Sequence, residues 1–153
     1  MHDLYVTHLV EQSRAVITEQ TKQLEASAFD PVRQLQFYTG YWEKCIADAS
    51  APFCVAGMLA SELPSLPEDV AACVRAHFVD LSRWLETVLT AGAQLGVFQL
   101  KGAASAEAES FMATVYGAML IARAYGNPEK FSQIVQAAFR RLHGPEPASQ
   151  PQA

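Results

Sequence analysis

The chain has 153 residues, enough for one compact domain with a real core and too few for two comfortable ones. Half of the residues are apolar and 18% are charged, which excludes intrinsic disorder, and no apolar run approaches the roughly 20 residues that a bilayer span needs. The formal charge is −5 and the 11 basic residues are scattered, so neither nucleic-acid contact by this chain alone nor a membrane partner is expected.

The first helix is expected after Asp3, with Val6, Leu9, Val10, Val16, Ile17 and Leu24 at helical spacing and fraying near Ala26 and Ser27. Asp30-Pro31 is a strong start for a second, an N-cap acid followed by proline at the first helical position. It runs to about Asp48 with Val32, Leu35, Tyr38, Trp42, Cys45 and Ile46 inward, and it is dense in aromatics: Phe37, Tyr38, Tyr41 and Trp42. Gly40 in this cluster costs about 1 kcal/mol of helix propensity relative to Ala and leaves room for a neighbouring helix or a ligand.

Pro52 breaks the chain before a short apolar helix, Phe53 to Leu63, that stops ahead of Pro64. Ser65-Leu66-Pro67-Glu68 matches a capping box and opens the longest helix, which continues to about Leu95. Its expected buried stripe is Val70, Val74, Phe78, Leu81, Leu85, Val88 and Leu95. Gly96 and Gly102 bracket a short extended link whose Phe98 and Leu100 plug the core. Ser105 is the expected cap of a helix that carries Glu107 and Glu109 near its start and stops at Gly126. Asn127-Pro128 begins the last helix, which ends near His143 at Gly144. The reading is all-α, one domain over residues 1–143 in about six helices, followed by a disordered tail over residues 144–153.

The last two helices stand apart. Between Phe111 and Ala122 there is not one charge, and a helix apolar nearly all round must be buried on both sides. One reading is a central core helix within a monomer. The other is a homodimer whose two closing helices, with those of a second copy, form a four-helix bundle. Its expected interface residues are Phe111, Val115, Ala118, Met119 and Ala122, with Phe131, Ile134, Val135, Ala138 and Phe139 from the final helix.

Three stretches carry a family resemblance. Phe53 to Leu63 is similar to a GC-apolar-apolar-G-x-L-A-x-E-L segment, Ala91 to Phe98 to an A-x-x-x-G-x-L link, and Val115 to Pro128 to a penultimate helix with its following turn. In this order they resemble the C-terminal effector-binding and dimerisation domain of TetR-family (TetR/AcrR) transcriptional repressors, over most of residues 30–142. The resemblance implies a dimer that binds a small molecule among its middle helices and alters the spacing of two DNA-reading heads. Those heads are three-helix bundles with a recognition helix for the major groove. No stretch here matches one, so the sequence reads as the sensing half without its helix-turn-helix.

A pocket of that kind is mostly apolar with a few orienting polar groups. The implied lining is Tyr38, Tyr41, Trp42, Phe53, Met58, Glu62, His77, Phe78, Met112 and Tyr116, around a hydrophobic or aromatic effector. Ordinary packing is the alternative for each of them. Cys45, Cys54 and Cys73 form no Cys-x-x-Cys pair, and the N-terminus lacks a secretory pattern, so reduced thiols in the cytoplasm are expected. Cys54 matches a reactive cysteine found in one branch of the family, although Phe53 replaces the glycine of that segment. A thiol at a helix N-terminus has a lowered pKa; the alternative is a buried structural thiol. His2, His8, His77 and His143 are far apart, and no metal-ligand spacing or phosphate loop occurs. No enzyme activity, metal or cofactor is expected, and His77 reads as a hydrogen-bonded core residue.

Overall fold

A computed structural model describes residues 30–49 and 54–144, together with His8, Glu11, Arg14, Ala15, Thr18 and Lys22, all six helical. The remaining expectations for the first helix, for Phe53 and for the tail beyond Gly144 lie outside the described residues. The elements in chain order are α1 (Pro31–Ala47), α2 (Val55–Ala60), a 3-10 turn (Leu63–Ser65), α3 (Glu68–Gln94), α4 (Ala104–Tyr125) and α5 (Glu129–His143). No strand occurs among the described residues.

Where the chain announces helix ends most strongly, the structure follows. Asp30 Oδ1 accepts from the backbone N–H groups of Val32 at 3.0 Å and Arg33 at 3.3 Å, and Pro31 fills the first turn. Two of the orphan donors at that terminus are thereby satisfied. Gly126 ends α4 at φ 59°, a left-handed value that glycine adopts without a Cβ penalty. Asn127 then accepts from the N–H of Glu129 at 3.0 Å as α5 begins.

Two expected caps do not form. Pro67, not Ser65, holds the cap position of α3, and the Ser65 hydroxyl instead donates to the Glu62 carbonyl at 2.8 Å. Ser65 is taken up by the preceding 3-10 turn and cannot also cap the helix. Likewise Ala103 caps α4 and Ser105 lies inside its first turn. Leu95, expected in the buried stripe, sits at the C-cap of α3 and is exposed, and Phe78 is half-buried; His77 and Leu89 join Val70, Val74, Leu81, Leu85 and Val88 on the inward face.

Helix α4 is the hub. It packs principally against α3 and α5, while α1 and α2 lie on α3. This arrangement accounts for part of the charge-free stretch, because the chain itself covers two sides of α4. Phe111, Val115, Ala118, Met119 and Ala122 are buried in the core of a single chain, as are Phe131, Val135 and Ala138; Ile134 and Phe139 are half-buried against the same core. The outward face of α4 is a different set, with Leu120 56% and Ile121 41% exposed beside Gly117 and Ala113.

The link after α3 closes the far end of the bundle. Phe98 is buried against Gly92, where an added Cβ would lie 2.0 Å from the Phe98 ring. The Gly92 carbonyl accepts from Val97 at 2.9 Å and Phe98 at 3.1 Å, and the Gln99 N–H donates to the Leu142 carbonyl of α5 at 2.7 Å. The glycine at 92 is therefore required by close approach, and the link fastens α3 to α5.

Candidate functional site

Three helices and the short α2 bring polar groups together in the other end of the core. The Tyr116 hydroxyl on α4 lies 3.3 Å from Cys54 Sγ, at the cap of α2, and 3.2 Å from His77 Nε2 on α3. A neutral imidazole can accept the Tyr116 proton at Nε2 while the Cys54 thiol donates to the phenol oxygen; the opposite tautomer runs the chain the other way. In either order the Tyr116 hydroxyl both donates and accepts. Phe78 lies 5.2 Å from the Tyr116 ring, centroid to centroid, and packs edge-on against His77.

Burial sets the protonation of these groups. It pushes the Tyr116 hydroxyl far above the ordinary tyrosine value, with the neighbouring Cys54 and Tyr38 adding to the shift. Tyr38 is raised in the same way, by burial first and then by Cys54, and Tyr41 by burial and by Cys45. His77 is lowered, chiefly by burial and further by the Arg14 guanidinium, against a smaller upward pull from Asp80. Tyrosines that stay protonated and a histidine that stays neutral form a hydrogen-bonding surface, not a charged one. Arg14 and Asp80 are ion-paired with each other.

Beside this relay lie donors with no partner. Tyr38 packs edge-on against Trp84 with ring centroids 5.8 Å apart. Among the described residues the Tyr38 hydroxyl, the Trp84 indole nitrogen, the Gln34 amide nitrogen, one turn before Tyr38 on α1, and the Arg14 Nε are buried without a hydrogen-bond partner. Buried polar groups are paired in the great majority of native structures, so these orphans call for an explanation.

Comparison with solved structures identifies the fold. A transcriptional regulator of the TetR family from Agrobacterium tumefaciens superposes with a TM-score of 0.86 at 50% sequence identity, over 91% of this chain and 73% of that one. The chain belongs to the TetR family of transcriptional regulators. The regulatory protein TetR from Rhodobacter sphaeroides shares the fold at a TM-score of 0.77 and 21% identity, over 90% of this chain and 74% of that one. Escherichia coli NemR in its reduced form does so at 0.72 and 16%, over 90% and 72%. No protein-family model and no curated protein matches the chain.

In this TetR-family chain the aromatic residues singled out from the sequence separate into two groups. Tyr38, Trp42, His77 and Cys54 are core residues, and Tyr41, Phe78, Met112 and Tyr116 pack against them. Met58 and Glu62 do not join: Met58 is 48% exposed and Glu62 is exposed, because α2 is one short helix that turns only Ala56 fully inward. Ser61 is exposed too, its hydroxyl bonded to the Met58 carbonyl. Gly40 borders a different feature, an open groove of about 420 Å³ between α1 and α5 that none of the cluster residues lines. Gln34 and Trp84 escaped the sequence reading. Trp84 had a usable signal, since it lies seven positions after His77, two turns along the same face of α3.

Among the described residues no helix is long and apolar enough to cross a membrane.

Proposed function

We propose that this TetR-family chain is the sensing part of a homodimeric transcriptional regulator, binding a small, largely apolar molecule between α1, α3 and α4. The observation that carries the reading is the set of buried, unpartnered donors at Tyr38, Trp84 and Gln34 within a wall of aromatic rings. Leaving a buried donor unsatisfied costs about 1–3 kcal/mol, a cost that a ligand with matching groups removes. The ligand acts by population shift, favouring the helix arrangement it binds better. Asp80 on α3, one turn after His77, holds Arg14, so a shift of α3 reaches the N-terminal residues directly. No residue of these 153 is assigned a DNA contact, in keeping with the scattered basic residues and the charge of −5.

A thermal-shift screen of one- and two-ring aromatic compounds tests the sensing role. Binding to the folded state raises the melting temperature with ligand concentration. Failure across such compounds leaves a helical module that dimerises without a ligand. The dimer is assigned to the outward face of α4, at Leu120, Ile121, Gly117 and Ala113, which can approach a twofold-related copy closely. Sedimentation of Leu120→Glu/Ile121→Glu beside the parent chain checks it: a dimer that persists in the variant sinks this assignment.

Cys54 supports a second reading, an electrophile sensor, through its contact with Tyr116. It is 1% exposed, whereas Cys73 is half-buried, so access alone favours alkylation of Cys73. Faster iodoacetamide labelling at Cys54 than at Cys73 supports sensing; slower labelling makes it a structural thiol.

A further inference from the structure

We infer that the occupant of the Tyr38–Trp84 site is a neutral aromatic compound carrying a carbonyl-type hydrogen-bond acceptor, an inference that rests on the ligand-site reading above. The donor inventory decides the chemistry. An indole N–H can only donate, and Trp84 Nε1 is buried with nothing to donate to. The Tyr38 hydroxyl is in the same position and its ring touches that of Trp84. The Tyr116 hydroxyl is held by Cys54 and His77 and makes no hydrogen bond with Tyr38 or Trp84. A ligand that brought only hydrocarbon would leave both groups unsatisfied, and one that brought only donors could serve the Tyr38 oxygen but not the Trp84 N–H. A carbonyl oxygen has two lone pairs to offer such donors.

The charge of the ligand follows from its surroundings. Burial disfavours ionisation of both tyrosines and of His77, so these three offer no cation to an anionic ligand. Arg14, the cation that acts on His77, is ion-paired with Asp80 through its terminal nitrogen, while its Nε is buried without a partner among the described residues. A carboxylate ligand would meet only this already paired guanidinium and would lose most of its hydration, an unfavourable exchange. The ketone, aldehyde, ester, amide and quinone carbonyls satisfy the donors without that cost. The rings of Tyr38 and Trp84, with Trp42 buried on the same helix as Tyr38, supply the apolar body of the site.

Matched ligand pairs test the assignment. Acetophenone and α-methylstyrene have the same shape and differ in a carbonyl oxygen against a methylene; 2-acetonaphthone and 2-isopropenylnaphthalene form the two-ring pair. Calorimetric titration of the parent chain should show each ketone binding roughly tenfold or more tightly than its hydrocarbon partner. Tyr38→Phe and Trp84→Phe, each deleting one donor and keeping an aromatic ring, should each reduce that preference at least about threefold. Benzoate should bind more weakly than acetophenone. Equal binding within both pairs, or a preference that survives in both variants, overturns the acceptor assignment and leaves the ligand site standing. Benzoate binding more tightly than acetophenone overturns the neutral charge. Binding of none of the five compounds removes the ligand site itself, and this inference with it.

Discussion

The two ends of the core are built on opposite principles. Around α4 and α5 the core is apolar: Phe111, Val115, Met119, Phe131 and Val135 are buried, and Phe111 meets Phe139 edge-on at 5.8 Å. Where α1 and α2 meet α3 and Tyr116 of α4, the core is studded with hydroxyl, thiol, imidazole, indole and amide groups, and those of Tyr38, Trp84 and Gln34 have no partner among the described residues. Both ends are shielded from water, and what separates them is polar satisfaction. In a domain of marginal net stability buried orphans are costly, and the apolar end supplies packing that offsets that cost.

Mutations should separate the ends in a fixed order of effect. Phe131→Ala removes a fully buried ring from the apolar end and should cost about 3–5 kcal/mol in urea unfolding. A loss below about 1 kcal/mol would show that this end is not the stabilising one. Gly92→Ala drives a Cβ into the Phe98 ring and should cost about 1–3 kcal/mol by the same measurement.

Acidification addresses the polar end through His77. Because folding holds His77 below the ordinary value of 6.5, the unfolded chain takes up a proton first as pH falls. The contribution of neutral His77 is therefore complete above about pH 6.5 and is lost progressively below it. Melting temperatures between pH 7.5 and 5 should fall for the parent chain and fall less for His77→Gln. Equal slopes in the two proteins would remove His77 from the titrating core. The smallest effect belongs to Tyr38→Phe, which deletes an unpartnered hydroxyl. Without ligand it should leave stability within about 0.5 kcal/mol of the parent or raise it slightly, whereas a loss above about 1 kcal/mol would expose a hidden partner.

Sequence periodicity made the helices legible and the partners of their faces much less so. Asp30-Pro31 and Gly126 fixed helix ends because their preferences act through the adjacent backbone. Ser65 and Ser105 misled, since a hydroxyl caps only when its own residue takes the non-helical position, and Pro67 and Ala103 hold those positions. The residues expected at a dimer interface were recognised as buried, yet a pattern of apolar positions does not say whether α5 or a second chain covers them. Within the candidate site Tyr38, His77 and Tyr116 were legible as aromatic or titratable residues on apolar faces. Gln34 was not: a buried glutamine breaks the rule that assigns polar residues outward, and only the packed helices reveal the exception.

The contact between Gly92 and Phe98 has a consequence for how such chains can vary. Position 92 has no room for a methyl group while position 98 holds a phenyl ring six residues later in the sequence. Either substitution alone is penalised, one by overlap and the other by a void, but a larger residue at 92 with a smaller one at 98 refills the same space. The two positions should thus change together among related chains, as a linked pair with few tolerated intermediates. Gly92→Ala/Phe98→Leu should then lose less stability than the sum of its single changes, giving the link that joins α3 to α5 a second viable packing.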